Sequence, residues 1–110
     1  MRWAPEGATL EVVTVTAPAA GVGGQVVFPR ACWLLGYTAR NQSDTDAGTA
    51  DLYDGGNSTG DPADYVGVPA QFTQRWNPGG PGVPYEAGIY LDMTAGQLDW
   101  SFTVGEWRSS

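Results

Sequence analysis

The feature that most constrains the fold is a strict alternation between Gln97 and Val104, where every even position is apolar and every odd position is polar. A period of two over such a stretch is typical of a strand with one buried side and one solvent-facing side. The segment Ile89–Thr94 alternates in the same way. Because the link between the two segments is short and contains Gly96, the sequence predicts that they form an antiparallel hairpin.

Five further segments have strand character, since they alternate or are rich in valine, threonine and aromatic residues. They are Leu10–Thr16, Gln25–Phe28, Ala31–Arg40, Gly48–Tyr53 and Tyr65–Trp76. The total is seven strands, or eight if the last segment is interrupted at Pro69, because proline cannot donate to a ladder.

Alternation also predicts which side chains of the two longest segments are buried. In the segment 31–40 the predicted apolar face consists of Trp33, Leu35, Tyr37 and Ala39, and Gly36 within it indicates a bulge or a close backbone approach. In the segment 65–76 the predicted apolar face consists of Val66, Val68, Ala70, Phe72 and Trp76.

Sixteen glycines and eight prolines in 110 residues would interrupt most helices, and no window of about eleven residues shows a period of 3.6. Short antiparallel strands at this spacing favour an all-β fold, a single antiparallel β-sandwich of jelly-roll or Greek-key type with about seven to eight strands. The predicted boundaries are an N-terminal arm over residues 1–8, the β-sandwich domain over 9–104 and a C-terminal tail over 105–110.

Charge and residue usage exclude several kinds of chemistry. The chain has no histidine, so neither a Ser-His-Asp triad nor a histidine-ligated metal site can be built. Its net charge of −7 and the absence of lysine argue against nucleic acid as a partner. The single cysteine, Cys32, cannot form an internal disulfide and lies in an apolar run typical of a buried position. We expect no signal peptide and no membrane span.

Acidic residues suggest two kinds of site, each with a simpler alternative. Six aspartates lie between Arg40 and Arg75, and Asp44, Asp46 and Asp54 are the candidate ligands of a calcium ion. The alternative is that aspartate simply favours turns. Paired carboxylates are also the machinery of glycosidases, but a sandwich of this size leaves little room for a deep cleft. We therefore predict no catalytic residues and no resident cofactor, with calcium as the one alternative.

Aromatic residues are the best candidates for contacts with a partner. Trp33 and Trp100 lie on apolar strand faces and are predicted to be in the core. The tyrosines on polar faces or in loops are suited to a sugar-stacking platform or a protein interface; they are Tyr53, Tyr65, Tyr85 and Tyr90. Trp3 and Trp107 fall in the predicted tails and would dock either on their own subunit or on a neighbouring one. The predicted interface residues are Trp3, Tyr85 and Trp107.

Several short segments resemble small structural proteins of tailed bacteriophages. The resemblance rests on Trp33–Asn41 (WLLGYTARN), Ala50–Gly55 (ADLYDG), Arg75–Gly80 (RWNPGG) and Ala87–Gly96 (AGIYLDMTAG), and it covers most of residues 31–104. These segments are apolar strands and glycine turns and carry no catalytic signature.

The resemblance implies a non-enzymatic virion protein of the head-decoration or minor virion type. The expected role is to bind the outside of the head and stabilise the lattice of the major capsid protein. A homo-oligomer, plausibly a trimer, is expected, soluble in the host cytoplasm before assembly and located on the head surface afterwards. A tail, connector or fibre module of the same virion stays open. A carbohydrate-binding sandwich also stays open, with or without calcium, in which the sugar would contact Tyr53, Tyr65, Tyr85 or Trp76.

Overall fold

The structure is a computed structural model that describes residues 8–17, 21–79 and 82–109. The described residues contain nine β-strands and no helix. The strands are β1 (Ala8–Ala17), β2 (Gly23–Phe28), β3 (Cys32–Arg40), β4 (Gly48–Asp54), β5 (Asp64–Val68), β6 (Thr73–Trp76), β7 (Val83–Tyr85), β8 (Ile89–Ala95) and β9 (Asp99–Ser109).

The strands form two packed antiparallel sheets. The larger sheet has the order β1-β9-β3-β6, with β7 also paired to β3, and the smaller sheet has the order β2-β8-β4-β5. The pairing is nested, because the first strand pairs with the last and each later pair lies inside the one before it. Strand β1 pairs with β9, β2 with β8 and β4 with β5. This is jelly-roll connectivity. The predicted all-β sandwich is confirmed.

The predicted hairpin between the two most regular segments is wrong. Both segments are strands, but β8 pairs with β2 and β4 in the smaller sheet, whereas β9 pairs with β1 and β3 in the larger one. Gly96 has a positive φ of 69°, and a side chain there would meet the carbonyl oxygen of Ala47. The glycine therefore turns the chain from one sheet to the other past a tightly packed neighbouring loop.

The core lies between the two sheets. The larger sheet contributes Leu34, Phe102 and Val104, and the smaller sheet contributes Leu52 and Leu91, all of them completely buried. Aromatic rings close one part of the core, where the rings of Tyr37 and Trp76 stack at 5.2 Å and those of Trp100 and Phe102 stack at the same separation. Trp100 is a core residue, as predicted.

A bulge in β3 changes which residues face the core. The pairing of β3 with β9 shifts between Leu34 and Gly36, so Leu35 is an extra residue. Gly36 confirms the predicted bulge, but the predicted face is wrong in its first half. The core receives Cys32 and Leu34, then Tyr37 and Ala39. Trp33 and Leu35 lie on the outer side of the larger sheet instead, although Trp33 is buried, as predicted, at 8% exposure.

The segment 65–76 is interrupted, as its proline allowed. Residues 69–72 form a turn in which the Phe72 N–H donates to the carbonyl oxygen of Pro69, and Gln71 has a φ of 64°. Phe72 lies in this turn, outside both strands, and is 63% exposed, so the prediction that it is buried is wrong, whereas Trp76 packs against the core on the predicted face. Strand β7 was not predicted, because three residues within a proline-rich loop carry no periodicity.

The predicted C-terminal tail is also strand. Strand β9 continues past Gly105 to Ser109, pairing with the first residues of β1, so Trp107 lies within a ladder opposite Leu10. Pairing between β9 and β3 ends at Gly105. Residues 8–11 and 106–109 therefore form a two-stranded extension, called the ribbon below.

Candidate interaction surfaces

An open groove of about 570 Å³ crosses the outer side of the larger sheet. Its floor consists of small residues of β3 and β9, its apolar end consists of two leucines, and one wall comes from the end of β6. The floor residues are Gly36, Thr38, Ser101 and Thr103. The apolar end is formed by Leu10 and Leu35, and the wall by Arg75 and Asn77. The groove thus offers an apolar end, hydroxyl groups along the floor and one cationic side chain.

Two glycines shape this groove. A methyl group at Gly105 would lie 2.8 Å from Cδ1 of Leu10 and 3.3 Å from Cδ1 of Leu35, so the two leucines converge above a residue without a side chain. A methyl group at Gly36 would lie 2.8 Å from the carbonyl oxygen of Trp76. Because of the bulge, Leu35 and Tyr37 face opposite sides of the sheet, which is why sequence periodicity missed the apolar end.

Of the two predicted interface residues that the structure describes, Trp107 lies near this surface and Tyr85 does not. Trp107 is half-buried in the ribbon opposite Leu10, and its indole N–H is buried without an acceptor among the described residues. Tyr85 is 2% exposed, so the prediction that it contacts a partner is wrong. It pairs with Cys32 and fills the core, and burial raises the pKa of its hydroxyl. Trp3 lies outside the described residues.

Three of the tyrosines suggested for a sugar platform, Tyr53, Tyr65 and Tyr90, lie on the outer side of the smaller sheet, and the rings of Tyr53 and Tyr90 meet edge to face at 6.5 Å. Tyr53 and Tyr85 are buried, and the Trp76 ring stacks on Tyr37 against the core. Tyr65 is 63% exposed on β5, in the other sheet from Trp76. Tyr90 is half-buried, so the outer side of the smaller sheet presents the exposed ring of Tyr65 and two rings that are partly or fully covered, while Tyr85 and Trp76 do not contribute to this face.

Two of the three aspartates proposed as calcium ligands accept hydrogen bonds from segments that are distant in sequence. The Asp54 carboxylate accepts hydrogen bonds from the backbone N–H groups of Glu86 and Ala87 at 2.9 and 2.8 Å. Asp44 accepts a hydrogen bond from the Gln71 side chain. No group of three or more acidic or cysteine side chains in residues 8–17, 21–79 and 82–109 is arranged to hold a metal ion.

Asn41 is a buried polar residue whose role the sequence did not reveal. Its side-chain amide donates to the carbonyl oxygens of Asp46 and Val68 at 2.8 and 3.0 Å, and its Oδ1 accepts from the N–H of Ser43. Asn41 therefore holds the loop after β3 against the end of β5. Only the aspartates around it suggested a turn in this region.

Cys32 is buried, as predicted. Its thiol is 1% exposed, and burial, followed by the charges of Glu106 and Asp54, raises its pKa to about 12. A thiol with such a pKa is a poor nucleophile and a poor metal ligand at neutral pH. Its position in the core is that of a small apolar side chain.

Comparison with known proteins found no match, whether to family models, to curated proteins or to solved structures. The described part of the chain holds no helix that is both long enough and apolar enough to cross a bilayer.

Proposed function

We propose that this chain is a non-enzymatic structural protein of a tailed-bacteriophage virion. In this proposal it decorates the outside of the head and stabilises the lattice of the major capsid protein. The motif segments that resemble phage structural proteins suggest the particle. The groove on the outer side of the larger sheet is the single structural observation that carries the proposal, because it offers a protein segment a place to bind.

The groove's chemistry suits an extended protein segment. Leu10 and Leu35 offer an apolar contact, the hydroxyls of Thr38 and Ser101 offer hydrogen bonds, and Arg75 offers a charge-assisted contact to a carboxylate. The groove is open and shallow, which fits a surface loop better than a small molecule, since small ligands bind mostly in enclosed pockets. The proposed occupant is an exposed loop of the capsid protein.

Weak individual contacts are sufficient for such a role. A protein that binds only the assembled lattice stabilises that lattice by mass action, and the effect is repeated at every equivalent position of the shell. Each groove therefore needs only moderate affinity. The proposed location is the head surface, after a soluble stage in the host cytoplasm.

The test is co-sedimentation of the purified chain with DNA-free heads of the phage that encodes it. Arg75→Glu is expected to reduce binding at least tenfold, because it replaces the cation of the groove by an anion. Gln74→Glu is the matched control, since Gln74 is exposed and adjacent on β6 but points to the other side of the sheet. It is expected to bind as the unsubstituted chain does.

Labelling of purified virions with an antibody against the chain provides the second readout. Signal on the heads is expected. Signal confined to tails would replace decoration by a tail, connector or fibre role. The absence of the chain from virions would overturn the proposal altogether.

A further inference from the structure

Strand β1 is the outer strand of the larger sheet and differs from every other edge strand of the sandwich. It spans ten residues, contains neither glycine nor proline, and carries one charged side chain, Glu11. It pairs with β9 on one side, and the described residues place no strand on its other side. A long edge of this kind is a template for another strand.

The other edges are short or carry residues that discourage pairing. Strand β2 begins with Gly23 and Gly24 and contains a register shift before Phe28. Strand β5 has five residues, one of them Gly67, and β6 has four. Strand β7 has three, including Pro84. Short length, glycine, proline and bulges are the usual protections of a sheet edge, and β1 has none of them.

Two adjacent valines in the middle of β1 are exposed, one on each side of the sheet. Val12 lies on the outer side and is 53% exposed, whereas Val13 lies on the core side and is still 36% exposed. Exposed valines along an open ladder favour burial against a second strand. This surface was not among the predicted sites, although its run of valine and threonine was visible in the sequence.

We propose that two copies of this chain associate through antiparallel pairing of their β1 strands, which joins their larger sheets into one continuous sheet. A two-fold axis perpendicular to the sheet keeps the outer sides of the two copies together, so each residue must face a residue of the same side. Two registers pair nine residues in this way, one centred on Val12 and one centred on Val13.

Both registers are compatible with the charges of the strand. Glu11 faces Val13 of the other copy in the first register and Val15 in the second, so in neither does it face its own equivalent. A nine-residue antiparallel ladder supplies roughly one hydrogen bond per residue pair, which is close to the roughly ten direct hydrogen bonds of a typical interface. A second copy therefore supplies hydrogen-bond partners for the backbone of this edge and covers its exposed valines.

The test is the solution mass of the purified chain by light scattering over a range of concentrations. A mass twice that of the 11.6 kDa chain is expected. Val12→Lys should weaken the dimer at least tenfold, because the two introduced charges lie opposite or diagonal to one another in either register. Val26→Lys is the matched control, since Val26 is an edge-strand valine of similar exposure, 49%, in the other sheet.

Single cysteines determine the register. Oxidation should cross-link either Val12→Cys or Val13→Cys across the two-fold axis, and the unsubstituted chain should not cross-link because Cys32 is buried. A monomer at every concentration, a trimer, or equal loss of the dimer in both lysine variants would overturn the proposal. None of these outcomes depends on head binding, so the two proposals fail separately.

Discussion

Strands β1 and β9 pair along ten residues, but the two ends of this pair have very different surroundings. From Val12 and Gly105 onward the ladder lies in the body of the sandwich, where Val104, Phe102 and Trp100 pack against the smaller sheet. In the ribbon, β9 has lost its pairing with β3 and no described strand lies on that side. A two-stranded ladder alone is marginally stable in water. Continuity of a ladder is therefore a poor measure of its strength.

Electrostatics deepens the contrast. Glu11 lies directly opposite Glu106 in the ribbon, an arrangement that is unfavourable between like charges. Arg30 compensates, because its guanidinium donates two hydrogen bonds to the Glu106 carboxylate at 2.5 and 2.8 Å, and this raises the pKa of Arg30. The body depends on burial, whereas the ribbon depends on polar contacts such as the Arg30–Glu106 ion pair and on the leucines above Gly105. The predictions below test this division.

The largest effect is expected in the body at Gly88. Its φ of 121° is accessible to glycine, and an added methyl group would lie 2.4 Å from the carbonyl oxygen of Phe28. Gly88→Ala should reduce the free energy of unfolding by about 3 kcal/mol or more. Gly56→Ala is the control, since a methyl group there meets nothing within 4 Å. Urea unfolding measures both, and equal effects would contradict the argument.

The next effect concerns Asn41, which is 3% exposed. Asn41→Ala leaves two carbonyl oxygens and one N–H without their partner and should cost about 2–3 kcal/mol of unfolding free energy. Asn57→Ala is the matched control, because Asn57 makes a similar turn at Thr59 in an exposed loop. It should cost less than about 1 kcal/mol. A smaller loss for Asn41 than for Asn57 would show that burial does not decide the difference.

The third largest effect is a loss of stability of the body at alkaline pH. Burial raises the pKa of Tyr37 and of Cys32 to about 12, with the charge of Asp64 adding to the effect at Tyr37. Since the folded state keeps these protons longer, the stability they contribute is complete below their ordinary pKa values and is lost as the pH rises toward 12. The melting temperature should fall above about pH 9. Tyr37→Phe should make that fall shallower, and an unchanged slope would contradict the assignment.

The smallest effect on global stability is expected in the ribbon. Glu106→Gln removes the charge that Arg30 contacts, but this pair is exposed on the Arg30 side and is screened by salt. The melting temperature should change less than in Asn41→Ala, while amide exchange of residues 106–109 should accelerate. Asp61→Asn, in an exposed loop, should leave that exchange unchanged. Faster exchange across Trp100–Val104 would mean that the ribbon and the body unfold together.

The positions of the strands were predictable because alternation is a local property of the sequence. Which strand pairs with which was not predictable from it. The segments around Leu91 and Phe102 alternate as expected, but their partners lie far away in sequence, so a short link suggested a hairpin that does not exist. The bulge at Leu35 reversed part of β3, and that reversal built the apolar end of the groove. Trp107 was not predicted to lie in a strand. Its strand conformation comes from pairing with β1, which is distant in sequence, and the local sequence does not show that pairing.

The central position of β9 in the larger sheet has a consequence for how the protein is made. Strand β9 lies between β1 and β3, and it is the last of the nine strands in chain order. More than eighty residues separate the end of β1 from the beginning of β9. At translation rates of about 5–20 residues per second, several seconds pass between the synthesis of β1 and the synthesis of β9, its pairing partner. During that interval its valines are exposed to other nascent chains, so the yield of folded protein should depend on how quickly β9 is synthesised.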